Sequence, residues 1–443
     1  MMRRLSHLQI IALGYFLIVL TGAVLLTLPI ASKGEPVGFF DALFTTTSAS
    51  CVTGLIVRDT ATTWSGFGQA VILILIQVGG LGFMTVASLF FRLMRRKAGL
   101  RERELMVEGL NVNHVGGIMG LTRRILIGTA LFEGVGALLL AIRFIPMLGV
   151  GRGIWYSIFH AVTAFCNAGF DLMGAVSGPY SSLSAFTEDW LVLGVLTLLI
   201  LIGGIGFLVW DDLLAHKGHW RRYTLHTKLA LSVTLGLTAA GTVLFLLTER
   251  AGRGDLSLSH QILNALFDSV TPRTAGFNAA DTAGLSDPGK LVTMLLMFIG
   301  GSPGSTAGGI KTTTLAVLAV QTVSQMRHSQ TTSVFRREIS GDILRKAAAV
   351  VFVNATLGIG GAFILCAAQP ELALTDALFE TISAISTTGM TVGITRMLCP
   401  LSRAVIIFLM YCGRVGSVSF ALALLEKRAR PPVTYPYESL TVG

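Results

Sequence analysis

FTTTSASCVTGL (residues 44–55), FHAVTAFCNAGF (159–170), FDSVTPRTAGF (267–277) and FETISAISTTGM (379–390) are four variants of one pattern. Each runs from a phenylalanine through a short amphipathic stretch to a glycine, and each lies between two long apolar stretches. The glycines, Gly54, Gly169, Gly276 and Gly389, follow one another at intervals of 115, 107 and 113 residues. Self-similarity at a near-constant interval marks one structural unit repeated. Taken singly, each of these glycines reads better as a helix-packing residue. Four in matching context, each followed by a second glycine cluster (Gly79, Gly203, Gly300, Gly413), point instead to a unit of helix, re-entrant stretch, glycine turn and helix.

The stretch of about a dozen residues before each glycine is too short to cross a bilayer, which needs about 20 apolar residues. Non-helical backbone at membrane depth is tolerated only where it lines a cavity or is buried in protein. A half-helix that enters, turns at the glycine and returns extended satisfies that constraint. Its carboxyl end carries partial negative charge and favours a cation. The extended residues can aim carbonyls at an axis and replace the water shell of an ion. Glycine permits such a backbone because it lacks a Cβ. Residues 50–54, 165–169, 273–276 and 386–389 are the expected walls of one pseudo-symmetric pore.

Composition agrees with a polytopic membrane protein. Apolar residues make up 52% of the chain, charged residues 13%, and the mean hydropathy is +0.71. Span-length apolar stretches lie at 7–28, 67–91, 125–145, 190–210, 229–247, 347–367 and 403–425, and an irregular eighth follows Pro288. The first lacks a cleavage pattern of the signal-peptide kind. The net charge of +10 is unevenly spread: 22 of the 34 Lys and Arg fall in every second connection. By the positive-inside rule those connections and both termini are cytoplasmic, and the charge reports topology rather than nucleic-acid binding. The five cysteines (Cys51, Cys166, Cys366, Cys399, Cys412) have neither disulfide nor zinc spacing.

The clusters QVGGLG (77–82), LIGGIG (201–206), IGGSPGSTAGG (299–309) and YCGRVG (411–416) fall within the second apolar stretch of each unit. Close helix packing explains the first two. The third cannot be a straight span. Residues 288–326 as one helix would run ~58 Å at 1.5 Å per residue, against a core of ~30 Å. Gly300, Gly301, Ser302, Pro303, Gly304, Ser305, Thr306, Ala307, Gly308 and Gly309 form the break, either a small polar loop suited to a gate or a mere kink with a long cytoplasmic extension. Arg414, inside the last apolar stretch, is either a positive barrier beside the ion path or a structural ion pair or carbonyl clamp. Glu133 is a candidate partner for it, with a local bond the equal alternative. Lys311 is expected to snorkel to the cytoplasmic interface.

Enzyme signatures fail. The GSTAGGIKT run places isoleucine where a phosphate-binding loop needs lysine, and it follows an apolar span rather than a strand. The eight histidines fall near span ends, loops or re-entrant segments, and no paired aspartates occur in spans.

Val52-Thr53-Gly54-Leu55, Asn167-Ala168-Gly169-Phe170, Thr274-Ala275-Gly276-Phe277 and Ser386-Thr387-Thr388-Gly389, with the 300–309 loop and Arg414, resemble the motifs of the Trk/Ktr/HKT superfamily of potassium transporters. The chain is most similar to the ion-conducting subunit of bacterial Ktr-type systems, over nearly its whole length. The resemblance implies an all-α polytopic membrane protein of four pseudo-symmetric helix–pore loop–helix repeats, eight spans in all, divided as 1–98, 99–220, 221–336 (with the gating loop 300–309) and 337–443. It implies a filter of Cys51, Val52, Thr53, Gly54, Asn167, Ala168, Gly169, Thr274, Ala275, Gly276, Thr387, Thr388 and Gly389, with potassium held by backbone oxygens. It further implies a homodimer in the plasma membrane, in contact with lipid, and no nucleic acid. A cytoplasmic ring of nucleotide-binding RCK subunits would regulate it, with ATP and ADP acting there and no covalent cofactor on this chain. Relatives that favour sodium often carry serine at the first filter glycine, and Cys51 stands where a threonine is common.

Overall fold

The computed structural model describes residues 6–82, 85, 99, 104–107, 117–254 and 256–416. The basic residues Arg3 and Arg4, most of the 92–116 connection and the tail from 417 lie outside the described residues. Among the described residues the regular structure is almost wholly helical, and the helices fall into four successive groups. α1 (His7–Thr27), α2 (Phe39–Ser50) and α3 (Gly66–Leu81) form the first. α4 (Ile118–Leu148), α5 (Val150–Phe165), α6 (Trp190–Gly204) and α7 (Phe207–His216) form the second. The third comprises α8 (Leu225–Thr248), α9 (Leu258–Val270), α10 (Asp287–Phe298) and α11 (Thr312–Met326). A small antiparallel hairpin, β1 (Ser333–Val334) and β2 (Arg337–Glu338), leads to the fourth group: α12 (Gly341–Ala368), α13 (Leu374–Ile385) and α14 (Pro400–Val415).

The opening helix of each group is long: α1, α4, α8 and α12 have 21, 31, 24 and 28 residues. By length and composition α1, α4, α8 and α12 can each cross a membrane, and α6 with α7 would count as a fifth if taken as one span. These opening helices carry exposed apolar side chains, among them Leu17, Leu138, Leu247 and Phe363. An apolar belt of this kind is stable only against lipid or protein.

The second helix of each group is short: α2, α5, α9 and α13 have 12, 16, 13 and 12 residues. At 1.5 Å per residue the longest reaches ~24 Å and cannot span a core of ~30 Å. These four helices are held from within. The phenylalanine that opens each motif, Phe44, Phe159, Phe267 and Phe379, is 0–1% exposed. Burial of each such ring is worth about 1.5–3 kcal/mol, so the repeated Phe anchors its half-helix in the core.

The apolar stretches expected at 67–91, 190–210 and 403–425 are not uninterrupted helices. α3 stops at Leu81, before Gly82 (φ +80°), and α14 at Val415, before Gly416 (φ +92°). Between α6 and α7 the axis turns by 92° at Gly206 (φ +103°). The second glycine clusters thus end helices as well as pack them, because a left-handed backbone breaks the helical hydrogen-bond ladder. The turn at Gly206 is held by a contact from another group: Phe207 N–H donates to the Gly304 carbonyl at 2.7 Å. A Cβ on Gly206 would lie 2.8 Å from the Pro303 carbonyl oxygen. Gly206→Ala should therefore destabilise the protein by about 1–3 kcal/mol. A lowered thermal midpoint in detergent checks this, whereas an unchanged midpoint would mean the turn carries no such constraint.

Candidate cation site

The four half-helices end in the same way. None of α2, α5, α9 or α13 has a basic residue in its last turn, so the partial negative charge of each carboxyl end is left uncompensated within its helix. Beyond each end comes a residue in the left-handed region: Val52 (φ +56°), Asn167 (+57°), Thr274 (+70°) and Thr387 (+51°). Two residues later stands the glycine, again at positive φ: Gly54 (+97°), Gly169 (+67°), Gly276 (+80°) and Gly389 (+91°). All four but Asn167 are β-branched, and such residues seldom adopt this backbone. The turns are pinned by matching bonds: Thr53 N–H to Ser48 O, Ala168 N–H to Thr163 O and Thr388 N–H to Ser383 O, each 2.8 Å. In the third group Ala275 N–H reaches Thr271 O at 2.9 Å.

The four segments close on one another. A Cβ built on Gly54 would strike the Ala168 carbonyl, one on Gly169 the Ala275 carbonyl, one on Gly276 the Thr388 carbonyl, and one on Gly389 the Thr53 carbonyl. That sequence of contacts returns to its start, so the segments form a ring in chain order. No hydrogen bond among the described residues ends on the carbonyls of Thr53, Ala168, Ala275 or Thr388. The buried hydroxyls of Thr53, Thr274 and Thr387 also lack a protein partner. Buried polar groups are rarely left so. An oxygen-rich ring of this kind fits a dehydrated cation as substrate. Cys51 lies one step earlier, as the helical C-cap of α2, with its N–H on Thr47 O at 2.8 Å.

On one side the four glycines open into a vestibule of about 430 Å3, lined also by Asp171, Asp281, Thr391 and Arg396. The Arg396 guanidinium stacks 4.3 Å over the Tyr180 ring, which sets its charge against the wall. Burial pushes the Asp171 carboxyl up to about 7, although the Met173 N–H at 2.9 Å favours its charged form and Asp59 opposes it.

The loop 300–309 packs beneath the ring, between α10 and α11. Its two ends pair, with Gly300 N–H on Ile310 O at 2.9 Å and Thr312 N–H on Gly301 O at 3.0 Å. It is tied to the second group by Ser302 N–H on Gly204 O (2.9 Å), Thr306 N–H on Gly203 O (3.2 Å) and Thr306 Oγ1 on Phe165 O (3.0 Å). Gly308 sits against Ser386 and Thr387, leaving no room for a side chain. The break is thus a folded loop and not a kink.

Arg414 makes no bond to Glu133. It donates to Thr306 O at 2.7 Å, to Gly80 O at 3.2 Å and to Gly79 O, joining the loop to α3. Glu133 instead accepts from Gln77 Nε2 at 3.2 Å. Lys311 does not snorkel outward. It folds back to donate to Ala307 O at 2.7 Å and Gly308 O at 3.3 Å.

Sequence reasoning missed the left-handed residue two positions before each glycine. It also missed how closely the second glycines approach the half-helix ends. Gly79, Gly203 and Gly413 press on the terminal carbonyls of Ser50, Phe165 and Ile385. The shared glycine register of the four units carried that signal.

Residues 5–429 match the TrkH family, described as a cation transport protein. The chain is 42% identical over 451 residues to the potassium/sodium uptake protein NtpJ of Enterococcus hirae, covering 100% of this chain and 98% of that one. It is 39% identical over 438 residues to Ktr system potassium uptake protein B of Bacillus subtilis, covering 98% and 96%. The solved structure of the potassium transporter TrkH from Vibrio parahaemolyticus superposes with a TM-score of 0.78 at 16% identity, over 96% of this chain and 86% of that one. The chain belongs to the TrkH family of cation transporters, as the motifs indicated. It is a multi-pass membrane protein and a transporter rather than an enzyme.

The vestibule has a titratable wall. As pH on that side falls through about 7, Asp171 takes up a proton and the wall loses a negative charge. The half-saturating cation concentration for transport should then rise. Asp171→Asn should raise it above that pH, where the parent's carboxyl is charged, match the parent below it, and so flatten the profile. A variant that keeps the parent's pH profile would show that Asp171 does not face the entering ion.

Proposed function

We propose that the protein takes up potassium across the plasma membrane through a filter formed by the four-segment ring. The observation that carries this reading is the closed circuit of glycine-to-carbonyl contacts opening on one vestibule. The filter is formed by Val52, Thr53 and Gly54, by Asn167, Ala168 and Gly169, by Thr274, Ala275 and Gly276, and by Thr387, Thr388 and Gly389, with Cys51 at its base. Four repeats, 1–98, 99–220, 221–336 and 337–443, supply one wall each and together make eight spans. The eight are the opening helix of each repeat and the apolar stretch that follows its ring glycine, the half-helices being re-entrant and not counted. Both termini are cytoplasmic.

The loop 300–309 and Arg414 form the gate. A flexible glycine-rich segment beneath the ring blocks the path until its ties are broken. The three carbonyl bonds of Arg414 favour the clamp over a bare electrostatic barrier, since they spend its donors on backbone. The name of the Bacillus subtilis relative, a protein of a Ktr system, supports a separate regulatory component. We assign it as a cytoplasmic RCK-type ring on which ATP and ADP act, bound to a homodimer of this chain. A second reading is a sodium-permeable or weakly selective pore, favoured by the potassium/sodium name of the relative at 42% identity.

Two measurements separate and test these readings. The potassium-to-sodium flux ratio in proteoliposomes should favour potassium, and Gly54→Ser should lower that ratio more than it lowers total flux, because a side chain there displaces the facing carbonyl. A ratio near unity in the parent would select the weakly selective pore. An unchanged ratio in the inserted variant would remove Gly54 from the filter. Deleting residues 302–307 should raise flux and weaken dependence on the regulatory partner. A deletion variant that inserts and still needs the partner for full flux would contradict the gate.

A further inference from the structure

The second residue of the repeated motif differs in every unit: Thr45, His160, Asp268 and Glu380. Two of them reach from their half-helix to the segment beyond the ring glycine. His160, on α5, is fully buried. Its Nδ1 lies 2.7 Å from the Tyr156 carbonyl oxygen, which can only accept, so Nδ1 carries the proton. Its Nε2 is then a lone pair and accepts the Leu172 N–H at 3.3 Å. Leu172 stands three residues past Gly169 and directly after Asp171. Glu380, on α13, is equally buried. It accepts from Thr391 Oγ1 at 2.7 Å and from the Thr395 hydroxyl. Both threonines line the vestibule with Gly389.

The other two motif positions do something else. Thr45 bonds back to the Asp41 carbonyl of its own helix at 2.9 Å, and Asp268 pairs with Arg253. In those units the return segment is held by other groups: Gly54 N–H donates to Ser48 Oγ (3.0 Å) and Arg58 Nε to Asp41 Oδ2 (2.8 Å) in the first, and Thr271 Oγ1 donates to the Phe277 carbonyl (2.7 Å) and Leu183 N–H to Asn278 O (2.9 Å) in the third. The ring contacts run in chain order, so the second and fourth units face each other across the ring.

We infer that His160 and Glu380 are positioning residues that brace two opposite walls of the ring from behind, an inference that rests on the filter reading. A carbonyl's aim follows the backbone angles on either side of it. Asn167 and Gly169, like Thr387 and Gly389, sit at positive φ, and such conformations persist only where surrounding contacts over-determine them. A bond from the half-helix to the segment past the glycine fixes the far end of each turn. Without it the carbonyls of the second and fourth walls drift while the half-helices stay in place. Selectivity would then fall before transport does.

The test compares paired substitutions in the full-length protein, reading the potassium-to-sodium flux ratio, total flux and purification yield. His160→Asn can keep the bond to Tyr156 but is too short to meet Leu172. His160→Gln can place its amide oxygen near the former Nε2. His160→Asn should lower the flux ratio roughly three- to tenfold, the scale of one lost hydrogen bond, with yield and total flux near the parent's. His160→Gln should rescue the ratio. Glu380→Ala should lower it similarly, and Glu380→Gln, which keeps one acceptor oxygen, should restore most of it. Should His160→Asn fail to insert, the Glu380 pair decides. Gly169→Ala is the control on the ring itself. If Gly169→Ala lowers the ratio while the Asn and Gln variants behave alike, the bracing role is overturned and the filter stands. If Gly169→Ala leaves the ratio unchanged, the filter reading falls and the inference with it.

Discussion

Each ring glycine abuts the carbonyl of the next segment with no space for a Cβ, and this contact is made four times around a closed circuit. It forces positive φ at four glycines and at the residue two before each of them. Strain of that kind, about 1–3 kcal/mol at each site, has to be offset by the surroundings. The surroundings are arranged for it. Four phenylalanines anchor the half-helices, and second glycines let α3, α6 and α14 come within contact of the half-helix carbonyl ends. Remove the close approach and the helices have no reason to be short or to point their carboxyl ends at one place.

The third unit breaks the pattern, and the break has a structural use. Where Gly79, Gly203 and Gly413 face a half-helix end, Gly300 faces the Gly308 carbonyl of its own loop. The chain therefore folds back beneath the ring. It occupies the space where a continuous helix would otherwise run, and it borrows hydrogen bonds from the second unit through Gly203, Gly204 and Phe165. Arg414 completes the enclosure from the fourth unit. Hydrogen bonds to a charged group contribute about 1.5–3 kcal/mol each, and lysine could not reproduce a fork that reaches Thr306 on one side and Gly79 and Gly80 on the other. Loop and arginine are thus one device, held by backbone carbonyls from three units.

Much of this was legible in the chain because it depends on local rules. The glycine spacing, the length of the apolar stretches and the impossibility of a straight 288–326 helix each follow from geometry alone. What was hidden depends on contacts between distant segments. The 92° turn at Gly206 is set by the Gly304 and Pro303 carbonyls, about a hundred residues away. The left-handed Val52, Thr274 and Thr387 run against local preference, and only the closed ring imposes them. Arg414 could be read as barrier or clamp until its three carbonyl partners were located. His160 and Glu380 look like ordinary polar residues on an amphipathic stretch, since nothing near them in sequence announces Leu172 or Thr391.

The ring can be interrogated without any substitution. Density maps of the transport-competent protein, determined in rubidium or thallium, should show the heavy cation on the ring axis at the level of the Thr53, Ala168, Ala275 and Thr388 carbonyls. The density should weaken when sodium replaces it. Heavy-cation density confined to the vestibule or to other clefts, with none on that axis in a protein that transports the ion, would contradict a filter built from these four segments.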